Sequence, residues 1–144
     1  MHSIDPSRPV HASCVALGDR AALILGASGS GKSALALTLM AYGAALVSDD
    51  RTTLTVTDGI VYATAPDTIA GRIEARGVGI LTALPVSNVP VQIVVDLDSR
   101  EQDRLPSLHH VMVKDVNLPL LYRVPHEHFA AAILQILRSG RSTP

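Results

Sequence analysis

The chain has no tryptophan, one phenylalanine and three tyrosines among 144 residues. With aromatics at only 3%, flat stacking surfaces for bases are scarce, which argues against a binder of single-stranded nucleic acid. There is no basic excess either. Twelve Lys and Arg against thirteen Asp and Glu leave a formal charge of -1, so no positive field gathers a phosphate backbone. The one cysteine, Cys14, excludes an intramolecular disulfide and fits a reducing compartment, with the ordinary role of a small buried hydrophobe. No apolar run approaches the ~18 residues of a membrane-spanning helix. The amino-terminal MHSIDPSRPVHA lacks the apolar core of a secretory signal. These absences predict a cytoplasmic protein that engages neither membrane nor nucleic acid.

Apolar residues are plentiful, at 47%, and build a core of Ala, Val, Leu and Ile. The length fits one domain over residues 1–144, with no internal repeat or linker. VHASCVAL and RAALIL read as strands around a turn at Gly18-Asp19. SALALTLMAY reads as a helix covered on more than one side, ending before Gly43. AALVS is a short strand closed by Asp49-Asp50. TTLTVTDGIVYATA is a hairpin, because Asp58-Gly59 suits the positive φ values of a type I′ turn. RIEARGVGILTAL, broken by Gly71, Gly77 and Gly79 in and just before it, reads as loop and short strand. VPVQIVVDLD is a buried strand, SREQDRLP an exposed connection, and HHVMV and PLLYRV short strands. Phe129, Ala132, Ile133, Ile136 and Leu137 share one face of a final helix, with Pro125 at its start and Gly140 after its end. Many strands and two helices predict a strand-rich α/β core.

Gly26-Ala27-Ser28-Gly29-Ser30-Gly31-Lys32-Ser33 matches G-x-x-x-x-G-K-[ST], with a strand before and a helix after. Glycines let backbone N–H groups turn inward around phosphate oxygens, and the helix points its positive end at the same atoms. Lys32 brings a full charge to the outer phosphates, and the Ser33 hydroxyl suits Mg²⁺. The loop therefore predicts a nucleoside triphosphate site. Phosphoryl transfer needs acids as well, to serve metal and acceptor. Asp49-Asp50 and the Asp96/Asp98 set both close strands, and spacing alone does not choose between them. Glu74, between Arg72 and Arg76, reads by itself as part of a charged loop. His126, Glu127 and His128 diverge as ligands on a helix, and His109-His110 point to opposite faces of a strand, so neither set predicts a structural metal.

The order HASCVAL, LILGASGSGKSALAL, ALVSDD and IEARGVGI, over about His11 to Leu137, resembles the C-terminal catalytic domain of HPr kinase/phosphorylase. The resemblance implies a strand-rich P-loop kinase core with few helices. It implies an ATP- and Mg²⁺-dependent serine kinase acting on HPr, a phosphocarrier of the sugar phosphotransferase system. Its implied roles fall on Lys32 for phosphate, Ser33, Asp49 and Glu74 for Mg²⁺, and Asp50 as general base. His11 matches the family's active-site histidine and Arg104 a catalytic arginine. The family's larger members carry a further N-terminal domain, so the resemblance implies a short form; their hexamers imply a homo-oligomer. Where they have a Pro-Gly-Arg-Asn type segment used in the reverse reaction, this chain has YRVPHEHFAAAI, which predicts weak phosphorylase activity. A small-molecule kinase and a nucleotide-sensing module are the competing readings of the same loop.

Overall fold

The computed structural model describes residues 3–142. Eleven strands and two helices follow one another as β1 (Ser3–Ile4), β2 (Ala12–Leu17), β3 (Arg20–Leu25), α1 (Lys32–Ala41), β4 (Ala45–Ser48), β5 (Thr53–Thr57), β6 (Ile60–Thr64), β7 (Arg72–Ala75), β8 (Gly79–Thr82), β9 (Val89–Arg100), β10 (His109–Val113), β11 (Val116–Arg123) and α2 (Phe129–Ser139). Nine strands form one sheet in the order β1-β10-β11-β9-β3-β2-β4, with β6 pairing antiparallel to the start of β9 and β5 to β6.

The central strands β3, β9 and β11 run parallel, and both faces of the sheet are covered. That explains why RAALIL and VQIVV are apolar almost without alternation. Side chains of β3 divide by parity: Leu23 and Leu25 pack with Val47, Leu54, Val61 and Val111 on one face, Ala22 and Ile24 with Leu39, Ile133 and Leu137 on the other. Cys14 is buried in the first of these clusters, where burial pushes its thiol far up. Both helices lie on the second face. The buried stripe of α2 is Phe129, Ala130, Ile133, Leu134 and Leu137, turned by one residue from the predicted face, so that Ala132 and Ile136 are only half-buried. The helix packs on α1 as well as on the sheet, and that contact fixes the rotation.

Asp58 and Gly59 have φ values of 53° and 75°, as the predicted hairpin turn requires. RIEARGVGILTAL, expected as loop and short strand, holds two short strands. It forms the antiparallel pair β7–β8, a separate two-stranded sheet whose one fully buried side chain, Ile73, anchors it against α1. β9 also runs two residues beyond the predicted end, through Ser99 and Arg100.

The strand directions gather the chemistry. β4 is antiparallel to β2, and β2 to β3, so β4 runs with β3, β9 and β11. The carboxyl ends of these four strands deliver Gly26, Asp49, Asp96 and Arg123 to one edge. The starts of the antiparallel β2 and β10 bring Ser13 and His109 to the same edge, and His11 immediately precedes β2. Open α/β sheets bind ligands at such carboxyl edges.

Candidate active site

The glycine-rich loop begins where β3 ends and closes into α1 at Gly31, whose φ of 102° favours glycine. At Gly26 a side chain would land on the Ser30 hydroxyl, so that position has room only for hydrogen. Ser30 Oγ is buried there with no hydrogen-bond partner among the described residues. Lys32 is 5% exposed; its Nζ donates to the carbonyls of Gly26 at 2.9 Å and Ala27 at 3.3 Å and lies 3.6 Å from Asp50 Oδ1. The lysine is thus folded back over its own loop and faces a carboxylate.

The acids at the end of β4 are in different environments. Asp49 is buried: its Oδ1 accepts hydrogen bonds from Ser33 Oγ at 2.6 Å and Ser13 Oγ at 2.8 Å, and its Oδ2 accepts the Glu74 backbone N–H at 3.0 Å. Asp50 is 57% exposed, 2.7 Å from His11 Nε2. Its φ of 67° is unusual for a residue with a side chain. The turn is held by Asp50 N–H donating to Ser13 Oγ at 3.1 Å, by Arg51 N–H on the Asp49 carbonyl, and by the Ser48 hydroxyl on the Arg51 carbonyl. The surroundings thus impose a left-handed conformation that aims Asp50 outward beside Lys32, the kind of strain that collects at functional sites.

Asp96 and Asp98 are close by in a different role. Asp96 lies in register with Leu25, the last residue before the loop. It is 6% exposed and accepts from Asp98 N–H at 2.9 Å and Ser99 Oγ at 3.1 Å. Asp98 places both carboxylate oxygens on the Ala27 N–H, at 3.1 and 3.0 Å. This pair braces the start of the glycine-rich loop rather than facing Lys32.

Lys32, Ser33, Asp49, Asp50 and His11 therefore meet. Glu74 joins them through its backbone, with its side chain exposed on β7. Arg104 does not join them. It sits in the exposed loop after β9 and makes no hydrogen bond or ion pair among the described residues. That loop is pinned beside it at Glu101. Burial pulls the Glu101 pKa up, but hydrogen bonds from His109 (2.8 Å) and from the Asp103 and Gln102 N–H groups outweigh this and hold it below the usual value. The His109 ring in turn stacks on Tyr122 with centroids 4.1 Å apart.

Two participants were not singled out in the sequence. Ser13 bridges Asp49 and Asp50; a hydroxyl within an otherwise apolar strand was its signal. Arg123 donates to the Ser30 carbonyl at 3.2 Å, so YRVPHEH borders the glycine-rich loop. A cation closing an apolar strand could have been noticed as the acids were.

The oxygen donors fit a magnesium ion. Among the described residues no three His, Cys, Asp or Glu side chains form a cage. Mg²⁺ at nucleotide sites needs less, one or two carboxylates together with phosphates and water. The Ser33 hydroxyl against the buried Asp49 carboxylate supplies that set. No helix among the described residues is long and apolar enough to cross a membrane.

Comparison with known proteins agrees with the architecture and the motif order. Residues 2–119 match the family model "HPr Serine kinase C-terminal domain". The HPr kinase/phosphorylase of Exiguobacterium sibiricum is 33% identical over 108 residues, covering 69% of this chain and 35% of the relative. That of Bacillus velezensis is 35% identical over 107 residues, again 69% of this chain and 34% of the relative. The chain thus spans about a third of the length of these curated relatives. The solved HPr(Ser) kinase/phosphatase from Coxiella burnetii superimposes with a TM-score of 0.77 at 24% identity, over 92% of this chain and 95% of that one, a likeness of fold. With a strand-rich P-loop core and a family match across most of its length, the chain belongs to the HPr serine kinase C-terminal domain family.

Proposed function

We propose that this domain transfers the γ-phosphate of Mg·ATP to a serine hydroxyl of an HPr-type phosphocarrier. One observation carries the reading: an exposed Asp50 carboxylate held 3.6 Å from the Lys32 ammonium and 2.7 Å from His11 Nε2, at the mouth of a glycine-rich phosphate loop. A serine hydroxyl is a weak nucleophile and gains from a carboxylate that takes its proton as it attacks. Asp50 is exposed enough for a macromolecular acceptor to present that hydroxyl. The proton passes to Asp50 Oδ, the hydroxyl oxygen bonds to the γ-phosphorus, and the bond from that phosphorus to the β–γ bridging oxygen breaks, releasing ADP. Lys32, drawn from its loop carbonyls toward the γ-phosphate, neutralises the charge that builds there, as do the loop N–H groups at the start of α1. His11 holds the Asp50 carboxylate in its outward position. Ser33 and Asp49, with Glu74 at hand, are the residues that would hold Mg²⁺, which when bound would supply charge neutralisation at the phosphates.

Asp49, satisfied by three donors and buried, is poorly placed to take a proton, which favours Asp50 as the base. Asp96, satisfied by Asp98 and Ser99, is displaced from that role for the same reason. The test is to incubate the pure protein with γ-labelled ATP, Mg²⁺ and a panel of HPr-type phosphocarriers beside small hydroxyl compounds. Label on a carrier serine supports the reading. Label confined to a small molecule would replace it with a small-molecule kinase, and nucleotide binding without any transfer would replace it with a sensor.

A further inference from the structure

We propose that Glu101 and His109 are positioning residues for the glycine-rich loop: their pair locks a bulge at the end of β9 and, through Arg123, fixes the shape in which the loop meets phosphate. This rests on the loop being a triphosphate site and adds what holds it in shape. β9 and β11 run in register as far as Asp96 and Tyr122, and the next pair is Arg100 with Arg123. One step along β11 thus spans four along β9, and residues 97–99 have no counterpart on β11 or on β3. Bulges of this kind re-aim side chains beside active sites. Here Asp98, within the bulge, puts its carboxylate on the Ala27 N–H, at 3.1 and 3.0 Å. Arg123, at the closing pair, donates to the Ser30 carbonyl at 3.2 Å. Ala27 and Ser30 are the two ends of one turn, closed by the Ser30 N–H on the Ala27 carbonyl at 3.0 Å. The bulge therefore clasps both ends of the turn that opens the loop.

A bulge gives up ladder hydrogen bonds and needs other contacts to keep its shape. They lie just past it. The Glu101 N–H donates to the Arg123 carbonyl at 2.9 Å, and the Glu101 side chain is 10% exposed. One carboxylate oxygen meets His109 Nε2 at 2.8 Å; the other accepts the N–H groups of Gln102 at 3.0 Å and Asp103 at 3.2 Å. A carboxylate so buried is costly without its donors, so they hold Glu101 in one position. His109 opens β10, and its ring stacks on Tyr122 with centroids 4.1 Å apart. Tyr122 is the last residue of β11 before the register breaks, so the imidazole ties the two strands together at that point. The contacts run from His109 through Glu101 and Arg123 to Ser30. Among the described residues no hydrogen bond or ion pair joins Glu101 or His109 to Lys32, Ser33, Asp49 or Asp50. Their effect on a nucleotide is therefore exerted through Arg123 and the loop.

The experiment compares calorimetric binding of ATP with Mg²⁺ in the native protein, His109→Ala, His109→Gln, Arg123→Ala and the His109→Ala/Arg123→Ala double variant, each well below its melting midpoint. His109→Ala and Arg123→Ala should each weaken ATP by roughly three- to tenfold, the worth of about one hydrogen bond. Glutamine offers an amide N–H at a reach similar to the ring's far nitrogen, so His109→Gln should stay within about twofold of native. Both residues act on the one contact to Ser30, so the double variant should bind within about twofold of the weaker single variant. Native ATP affinity in His109→Ala, an equal loss in His109→Gln, or losses that multiply in the double variant would overturn the proposal. Should His109→Ala not fold, Glu101→Gln, of the same size but uncharged, reads the pair from its other member: ATP should weaken by roughly threefold or more, and native affinity would overturn the proposal. The loop's own role is read separately: ATP binding at native strength in Lys32→Ala would refute the triphosphate site itself.

Discussion

Replacing Asp50 separates chemistry from stability, because its backbone and its side chain push in opposite directions. Its φ of 67° costs an ordinary L-residue roughly 1–2 kcal/mol, less for Asp and Asn. Asp50→Gly removes that strain but adds about 0.5–1 kcal/mol of backbone entropy to the unfolded chain. It also deletes an exposed contact with His11 worth about 0–1 kcal/mol. These terms nearly cancel, so Asp50→Gly and Asp50→Asn should melt close to the native protein. Asp50→Ala keeps a Cβ without the carboxylate's local tolerance of this conformation and should lose about 1 kcal/mol, or roughly 2–4 °C in midpoint. The phosphotransfer rate should fall by about 10²–10⁴ in all three, since each lacks the base. Calorimetric melting and initial rates at saturating ATP measure both quantities on the same samples. A rate loss that follows the stability order, with Asn and Gly near native activity, would refute the role of Asp50.

Lys32→Ala should abolish most productive ATP binding, as loop amides alone do not replace its charge, and unchanged activity would remove the phosphate-loop assignment. Asp96→Asn should slow turnover much less than Asp50→Asn; the reverse order would make Asp96 the working acid. Asp98→Ala frees the Ala27 N–H and should raise the KM for ATP more than it lowers kcat, while Asp98→Asn, which still offers an acceptor, should restore most of the loss. Given serine-phosphorylated HPr and phosphate, the enzyme should release pyrophosphate more slowly than it phosphorylates HPr. Equal rates would show that YRVPHEH supports the reverse reaction.

The elements legible in the sequence are those whose signals are local. The two central hairpin signals, Gly18-Asp19 and Asp58-Gly59, depend on turn geometry alone, and the phosphate loop on a contiguous motif. Elements defined by distant partners were hidden. β1 is two residues long and exists through its pairing with β10, more than a hundred positions away. β7–β8 carries three charges and two glycines over eleven residues and one fully buried side chain, so neither strand period is visible; contact with α1 makes the hairpin. The face of α2 follows from packing against two partners, while the sequence shows one stripe. The choice between Asp50 and Asp96 was equally closed to spacing. Both end strands at one edge, and only the third dimension shows Asp96 occupied by Asp98 and Ser99 and Asp50 facing Lys32.

The most direct measurement is the time course of phosphoserine formation on an HPr-type phosphocarrier, with the modified residue mapped, for the native chain and Asp50→Asn at saturating Mg·ATP. Phosphate should appear on a single serine with the native chain and about 10²–10⁴ more slowly with the variant, at similar ATP affinity. Phosphoserine formed at native speed by Asp50→Asn, or none formed by the native chain while it binds ATP, would contradict a site in which Asp50 beside Lys32 drives transfer to a protein serine.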